Sequence, residues 1–443
     1  MDNKDELVII TPSTETIDGL DDDYKDLLVE VQNDIMKRGV QAVALDQRKY
    51  ALSSDEWVYE LPHPIRKKWA GLLPLHIECL VQEERNVAAM MKVLSGKDVC
   101  ISLLVRNLFK NSPSFRELAQ AGNAHESSAN LGAMDTAFYP HTFYAKGSRL
   151  FKIDDDLTAM LDKTDLGLKT PAGFLQPPFA NMFIAAKPNF TIYNAMSGDH
   201  QADGFYLNTY TYEADLVSDL VSNTFEGEGR KDKLSGFLRD KGLIVPDGGE
   251  IRVFEILACG RPKENTVDDA TFSFSITIQD PTVSVSELVE AHIEYYTTQT
   301  DGHDGTLEGI KFINTDEKHA QQLRNCVEFV SKALLYINSD DCIREKVMEL
   351  SDLKIQQRRT QNKAKKRKLQ RKINRSSDYV LISYPIETGA KTEGSTRSKS
   401  AHWRRGHFRE QRYGEKNANV KIIWIKPVIV GKNKPSSKEY RVK

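Results

Sequence analysis

Eight consecutive residues near the C-terminus, His402-Trp403-Arg404-Arg405-Gly406-His407-Phe408-Arg409, hold two imidazoles, three guanidiniums and two aromatic rings. Metal-independent cleavage of RNA needs a base for the 2′-hydroxyl, an acid for the leaving oxygen and cations for the charge on phosphorus. His402 and His407 have the chemistry for base and acid, with Arg404, Arg405 and Arg409 as charge stabilisers. The same residue types also bind RNA without cutting it. Arginine offers a planar two-pronged donor to phosphate, and histidine adds a donor whose charge titrates near neutrality. Trp403 and Phe408, with Tyr413 and Trp424 beyond them, could stack on unpaired bases or fill a core. Arg412 extends the basic line. Two histidines without a nearby cysteine or carboxylate make an incomplete zinc set, so no metal is expected here.

Other chemistries find little footing. The chain lacks a phosphate-binding G-x-x-x-x-G-K-[ST], a G-x-G-x-x-G after a strand, a G-x-S-x-G elbow and an H-E-x-x-H pair, and no cofactor is expected. Cys79, Cys100, Cys259, Cys326 and Cys342 form no C-x-x-C pair and read as reduced, packed thiols. Asp154-Asp155-Asp156 could hold a metal, but capping of the following helix explains three acids at less cost.

The net charge of −2 conceals an asymmetry. From Lys354 onward there are 26 Lys and Arg against 6 Asp and Glu; before it there are 35 against 57. Such a split points to a basic module that meets a polyanion, held on an acidic body that limits where the polyanion can sit. Its densest part, 354–375, has eleven Lys and Arg in 22 residues and no acid. Lys365, Lys366, Arg367, Lys368, Arg371 and Lys372 are its candidate phosphate contacts. Alone this tract would fray, because like charges repel at helical spacing; against phosphates it could order as a basic helix and release counterions.

These groups need elements to position them. At 443 residues, two or three domains are expected. Residues 1–145 read as mostly helical, with apolar stripes over 21–35, 65–94 (kinked, or split into two helices, at Pro74) and 101–109. Residues 146–350 read as a mixed α+β domain rather than a βαβ series. Strands are expected at 181–186, 205–212, 250–257 and 271–278, and helices at 286–296 and 316–337. The basic tract, 351–377, is expected to continue a helix begun near Asp340. The closing module, 378–443, reads as a strand at 378–386 and then a β-hairpin: 403–412, a turn around 414–419, and 420–430 broken by Pro427. The fold class is α+β throughout. No run approaches the length of a membrane span, and the acidic N-terminus has no apolar leader core, so a cytosolic protein is expected.

At His402-x-Arg404-Arg405-Gly406-His407-Phe408, followed by Trp424-x-x-Pro427-x-x-Val430, the chain resembles the C-terminal module of a type V-A anti-CRISPR family of phage and other mobile-element proteins. Weaker similarity extends upstream to about residue 146, through the strand pair 249–256 and 271–280. The resemblance implies a protein that lowers a target by acting on its messenger RNA during translation, the nascent chain helping to choose the transcript. RNA or the ribosome would be the partner, with a nascent peptide or target protein met by the acidic body. His402, Arg404, Arg405 and His407 would be the functional candidates. Some members place a further histidine after the motif aromatic, where this chain has Arg409. Two rivals stand beside that reading: a self-contained ribonuclease using His402 and His407, and a non-catalytic adaptor that recruits a host nuclease.

Overall fold

The computed structural model describes residues 60–69, 139–140, 142–144, 146–166, 170–194, 198–213, 233–245, 249–263, 270–298, 317–384 and 402–430. The helices expected at 21–35 and 101–109, and most of that at 65–94, lie outside them. Labels below number the described elements in chain order. The molecule is α+β, as its sequence patterning predicts.

Its centre is an eight-stranded mixed sheet with strand order β7-β6-β5-β3-β1-β9-β8, and β4 paired to β5. β1 (Leu150–Ile153) lies between β3 (Asn181–Ala185) and β9 (Tyr379–Ser383), parallel to both. β3, β5 (Gly198–Glu213), β6 (Glu250–Gly260) and β7 (Thr271–Ile278) run antiparallel in succession. β4 (Thr191–Asn194) folds back on β5, and β8 (Ile343–Val347) is antiparallel to β9 at the far edge. β7 alternates as expected: Phe274, Ile276 and Ile278 are buried, and Phe272 packs beside them.

One face of the sheet is covered by α2 (Asp155–Asp162), α4 (Val285–Thr298) and α5 (Glu317–Ile337). Along α5, Leu323, Cys326, Val327, Val330, Leu334 and Ile337 recur three or four apart and are buried, which is the spacing of one helical face. Asp154 caps α2, its carboxylate accepting from the Asp156 and Leu157 amides at 3.0 and 3.3 Å, with Asp155 and Asp156 in the first turn. The opposite face carries α1 (His63–Trp69). There Arg66 Nη1 donates to Asp203 Oδ2 at 2.5 Å, and His63 is hydrogen-bonded to the Tyr206 hydroxyl at 2.8 Å. Asp203 sits where the β5–β6 register shifts, so a bulge turns its carboxylate toward the helix. A short helix, α3 (Lys233–Asp240), packs Leu238 with Ile251, Val253 and Ala291.

The basic tract departs from expectation. Residues 343–347 form strand β8 instead of the start of a helix, because β9 offers them a ladder partner. The cations then fall on two helices, α6 (Glu349–Arg359) and α7 (Lys363–Arg375). The break follows from local chemistry. Thr360 is extended, at φ −87° and ψ 126°, and the Asn362 side chain caps α7 by accepting from the Lys365 amide at 3.1 Å. The helical pair is therefore an excursion between two adjacent strands. Since β9 lies inside the sheet, the described elements from β1 to β8 and the strand at 379–383 share one core.

Candidate nucleic-acid interface

The helical pair is tied at its base and packed on one side. Asp378 accepts from the Ser351 amide at 3.0 Å and from its hydroxyl, and Ser376 Oγ donates to Glu349 at 2.9 Å. Midway, Gln357 Nε2 donates to Gln370 Oε1 at 2.6 Å. α7 buries Leu369 and Ile373, one helical turn apart, and packs against α1 and α6. Its other sides carry charge. Lys363, Lys365, Lys366, Arg367, Lys368, Arg371 and Lys372 are all exposed. Of these, Lys363, Lys365, Lys366, Arg367, Lys368 and Lys372 make no ion pair with a described residue. No acid occupies the first turn, so Lys363 and its neighbours stand at the positive end of the helix dipole. Their mutual repulsion and the dipole both favour a polyanion beside this helix.

The C-terminal hairpin comprises β10 (His402–Arg404), β11 (Gly406–Tyr413), β12 (Asn419–Ile425) and β13 (Val428–Val430). β11 pairs antiparallel with β12 from His407↔Ile425 to Tyr413↔Asn419, and β10 with β13 from Arg404↔Val428 to His402↔Val430, in one continuous register. The ladder is interrupted at Arg405 and Pro427, where proline has no amide to donate. The turn is tight, with Gly414 at φ 80°, Lys416 at φ 53° and Asn417 at φ 57°. β11 also runs parallel to the short β2 (Thr164–Asp165) beneath α2, which fastens the hairpin to the body.

This register sorts the motif into two groups. Phe408 and Trp424 face each other across the ladder, 4% and 7% exposed, and join the main core. The Trp424 indole N–H donates to Thr164 Oγ1 at 3.2 Å, and its ring meets Tyr336 of α5 edge-on at 4.9 Å. Gly406 lies against Thr164, Pro427 and the Ile425 carbonyl, with no space for a side chain. Gly406, Phe408, Trp424 and Pro427 are thus the joint between hairpin and body. The open choice between stacking and core is resolved for these two rings, which are committed to the core.

The polar group points elsewhere. His407 is half-buried and Arg409 exposed, on the ladder face opposite Phe408; Arg412 is exposed near the turn. Arg405 is exposed and pairs with Asp165 of β2 at 3.3 Å. The side chains of His402, Trp403 and Arg404 lie outside the described ones. Along the backbone, positions 402 and 407 are five residues apart, about 16 Å where the chain is extended.

Two partners escaped the sequence reading. Asp165 and Asp340 belong to the acidic body yet reach the hairpin's cations, Asp340 accepting from Lys421 at 2.7 Å. That bond to Asp340 raises the Lys421 pKa. Neither acid carries a local signal, since both contacts are made across the fold. Among the described residues, no group of three or more His, Cys, Asp or Glu is placed to hold a metal ion. No described helix is long and apolar enough to cross a membrane.

Comparison with known proteins bears on this geometry. The crystal structure of AcrVA2 is similar with a TM-score of 0.38 and 12% identity, over 81% of this chain and 98% of that one. No curated protein matches the chain. The family model described as the Anti-CRISPR type V subtype A2 family matches residues 151–432. That match takes in the sheet from β1 onward, the basic helical pair and the whole hairpin, and on its extent the chain belongs to the Anti-CRISPR type V subtype A2 family.

Proposed function

We propose that this anti-CRISPR-like protein engages RNA, alone or on translating ribosomes in the host cytosol, and lowers the level of a target transcript. The observation that carries the reading is α7: six exposed cations without an ion-pair partner among the described residues, on a helix held by only two buried side chains. Their attraction for phosphate is independent of sequence. The exposed Arg405, Arg409 and Arg412 of the hairpin would add contacts, and the acidic body would select the target, with a nascent peptide as its ligand. The wide separation of the two motif histidines along the ladder favours an adaptor that recruits a nuclease over a ribonuclease built on that pair.

The test is binding and transcript loss measured together. Purified protein is titrated against RNA over a range of salt, and target transcript is measured in translating cells. Replacing Lys365, Lys366, Arg367 and Lys368 with Glu should abolish transcript loss and flatten the salt dependence. Each cation that had met a single-stranded phosphate should lower the slope of log K against log salt by about 0.7. His407→Ala should leave that slope unchanged. Cleavage of naked RNA in EDTA that disappears with His407→Ala would instead support the ribonuclease. RNA binding and transcript loss at wild-type level in the four-residue variant would sink the proposal.

A further inference from the structure

We infer that the end of the β11–β12 hairpin reads unpaired RNA bases, with Tyr413 as the stacking surface. The inference rests on the RNA reading above and specifies what kind of RNA the hairpin takes. Phe408 and Trp424 are buried, while Tyr413 is 45% exposed. It is the last residue of β11, opposite Asn419 and immediately before the turn.

Its surroundings suit a nucleotide. Lys421 lies on the same ladder face, and its Nζ is 5.4 Å from the tyrosine ring centroid. The ammonium is held there by Asp340 at 2.7 Å, so ring and cation are presented together. Arg409, on the same face and exposed, stands about 13 Å along the strand, four residues at the rise of an extended chain. At the tip, Lys416 is held at φ 53°, a conformation that few side-chain-bearing residues adopt. Lys421 is thus the cation placed at the ring, with Lys416 three residues on in the turn and Arg409 farther back along the strand.

The choice of single strand follows from the shape. A two-stranded tip with one solvent-facing ring can stack on a base that is free of its neighbours. Bases inside a duplex have both faces occupied, and a duplex would be met only through its phosphates. Glu415, two residues on in the turn, and Asp340, which pairs with Lys421, offset part of the positive charge here, so more of the affinity must come from stacking.

The experiment uses the full chain and fluorescence anisotropy, with labelled oligouridine and a duplex of the same number of phosphates. Tyr413→Ala should weaken oligouridine binding by about 5- to 150-fold and leave duplex binding unchanged. Tyr413→Phe should bind as wild type, and Tyr413→Leu, which keeps apolar bulk without a ring, should bind as Tyr413→Ala. An unchanged unfolding midpoint in urea shows that the variants are folded. If Tyr413→Ala and Tyr413→Leu bind oligouridine as wild type while the four-residue α7 variant loses it, stacking at the tip is wrong and the RNA reading stands. Equal losses on single strand and duplex also overturn the inference. A wild-type protein that binds neither RNA overturns both.

Discussion

A methyl group at position 406 would stand 2.7 Å from Pro427 Cδ and from Thr164 Oγ1, and 3.0 Å from the Ile425 carbonyl oxygen. Two of those three neighbours are backbone or a rigid ring, so little can give way. Gly406→Ala should therefore cost about 1–3 kcal/mol in urea unfolding, whereas His407→Ala, at a half-buried position, should cost less. Equal losses for the two would show that Gly406 is not the joint. At this scale the sequence was only half legible. Histidine and arginine in the motif announce polyanion chemistry wherever they sit. That the glycine, phenylalanine, tryptophan and proline between them make a packing joint depends on β2 and α5, some 240 and 90 residues away in the chain. Asp165 and Asp340 were invisible for the same reason, being ordinary surface acids until the hairpin lands beside them.

At the scale of elements, legibility tracks burial. α5 and β7 announce themselves because their apolar residues recur at the period of the element, Leu323, Val327, Val330 and Leu334 in one and Phe272, Phe274, Ile276 and Ile278 in the other. β8 does not: four of its five residues are exposed, and its state is set by pairing with β9. The sequence Ile343-Arg-Glu-Lys-Val347 therefore reads as the start of a charged helix. The split of the basic tract into α6 and α7 turns on Asn362, whose side chain supplies a local cap that a count of charges overlooks. α7 has no acid in its first turn to offset the lysines there, so it depends on that cap more than most helices do. Asn362→Ala should destabilise the helix by about 1 kcal/mol. The measurement is amide hydrogen exchange over 363–375, where protection should fall; RNA added at low salt should restore it. Unchanged exchange in the variant would mean that Leu369 and Ile373 hold the helix without its cap.

For the whole molecule, the acidic body and the basic C-terminal part are not separate pieces: β9 lies inside the sheet, and Trp424 joins the core of α5. Global stability, and with it the presentation of the cations, then depends on groups far from any RNA. His292 of α4 is the clearest case. It is fully buried, its Nδ1–H donating to the Leu288 carbonyl at 2.8 Å and its Nε2 accepting from the Thr277 amide of edge strand β7 at 2.9 Å. Burial pushes its pKa down to about 4, against the weaker opposing pull of the Leu288 carbonyl. The unfolded chain, with an ordinary histidine, takes up this proton near pH 6.5. Between those values the unfolded state binds more protons than the folded one, so stability is complete above pH 6.5 and falls as the pH drops toward 4. The loss attributable to this residue is about 3 kcal/mol, and it levels off below pH 4. A proton on Nε2 would also leave the Thr277 amide facing a donor, which opens the edge of β7. Carboxylates titrate over part of the same range, so the comparison is between wild type and His292→Gln, which can still accept from Thr277 but does not titrate. Urea unfolding at intervals from pH 7 to pH 4 should show the wild type losing stability faster than the variant, with the gap opening between pH 6.5 and 4. Parallel curves would place the acid sensitivity in the carboxylates instead.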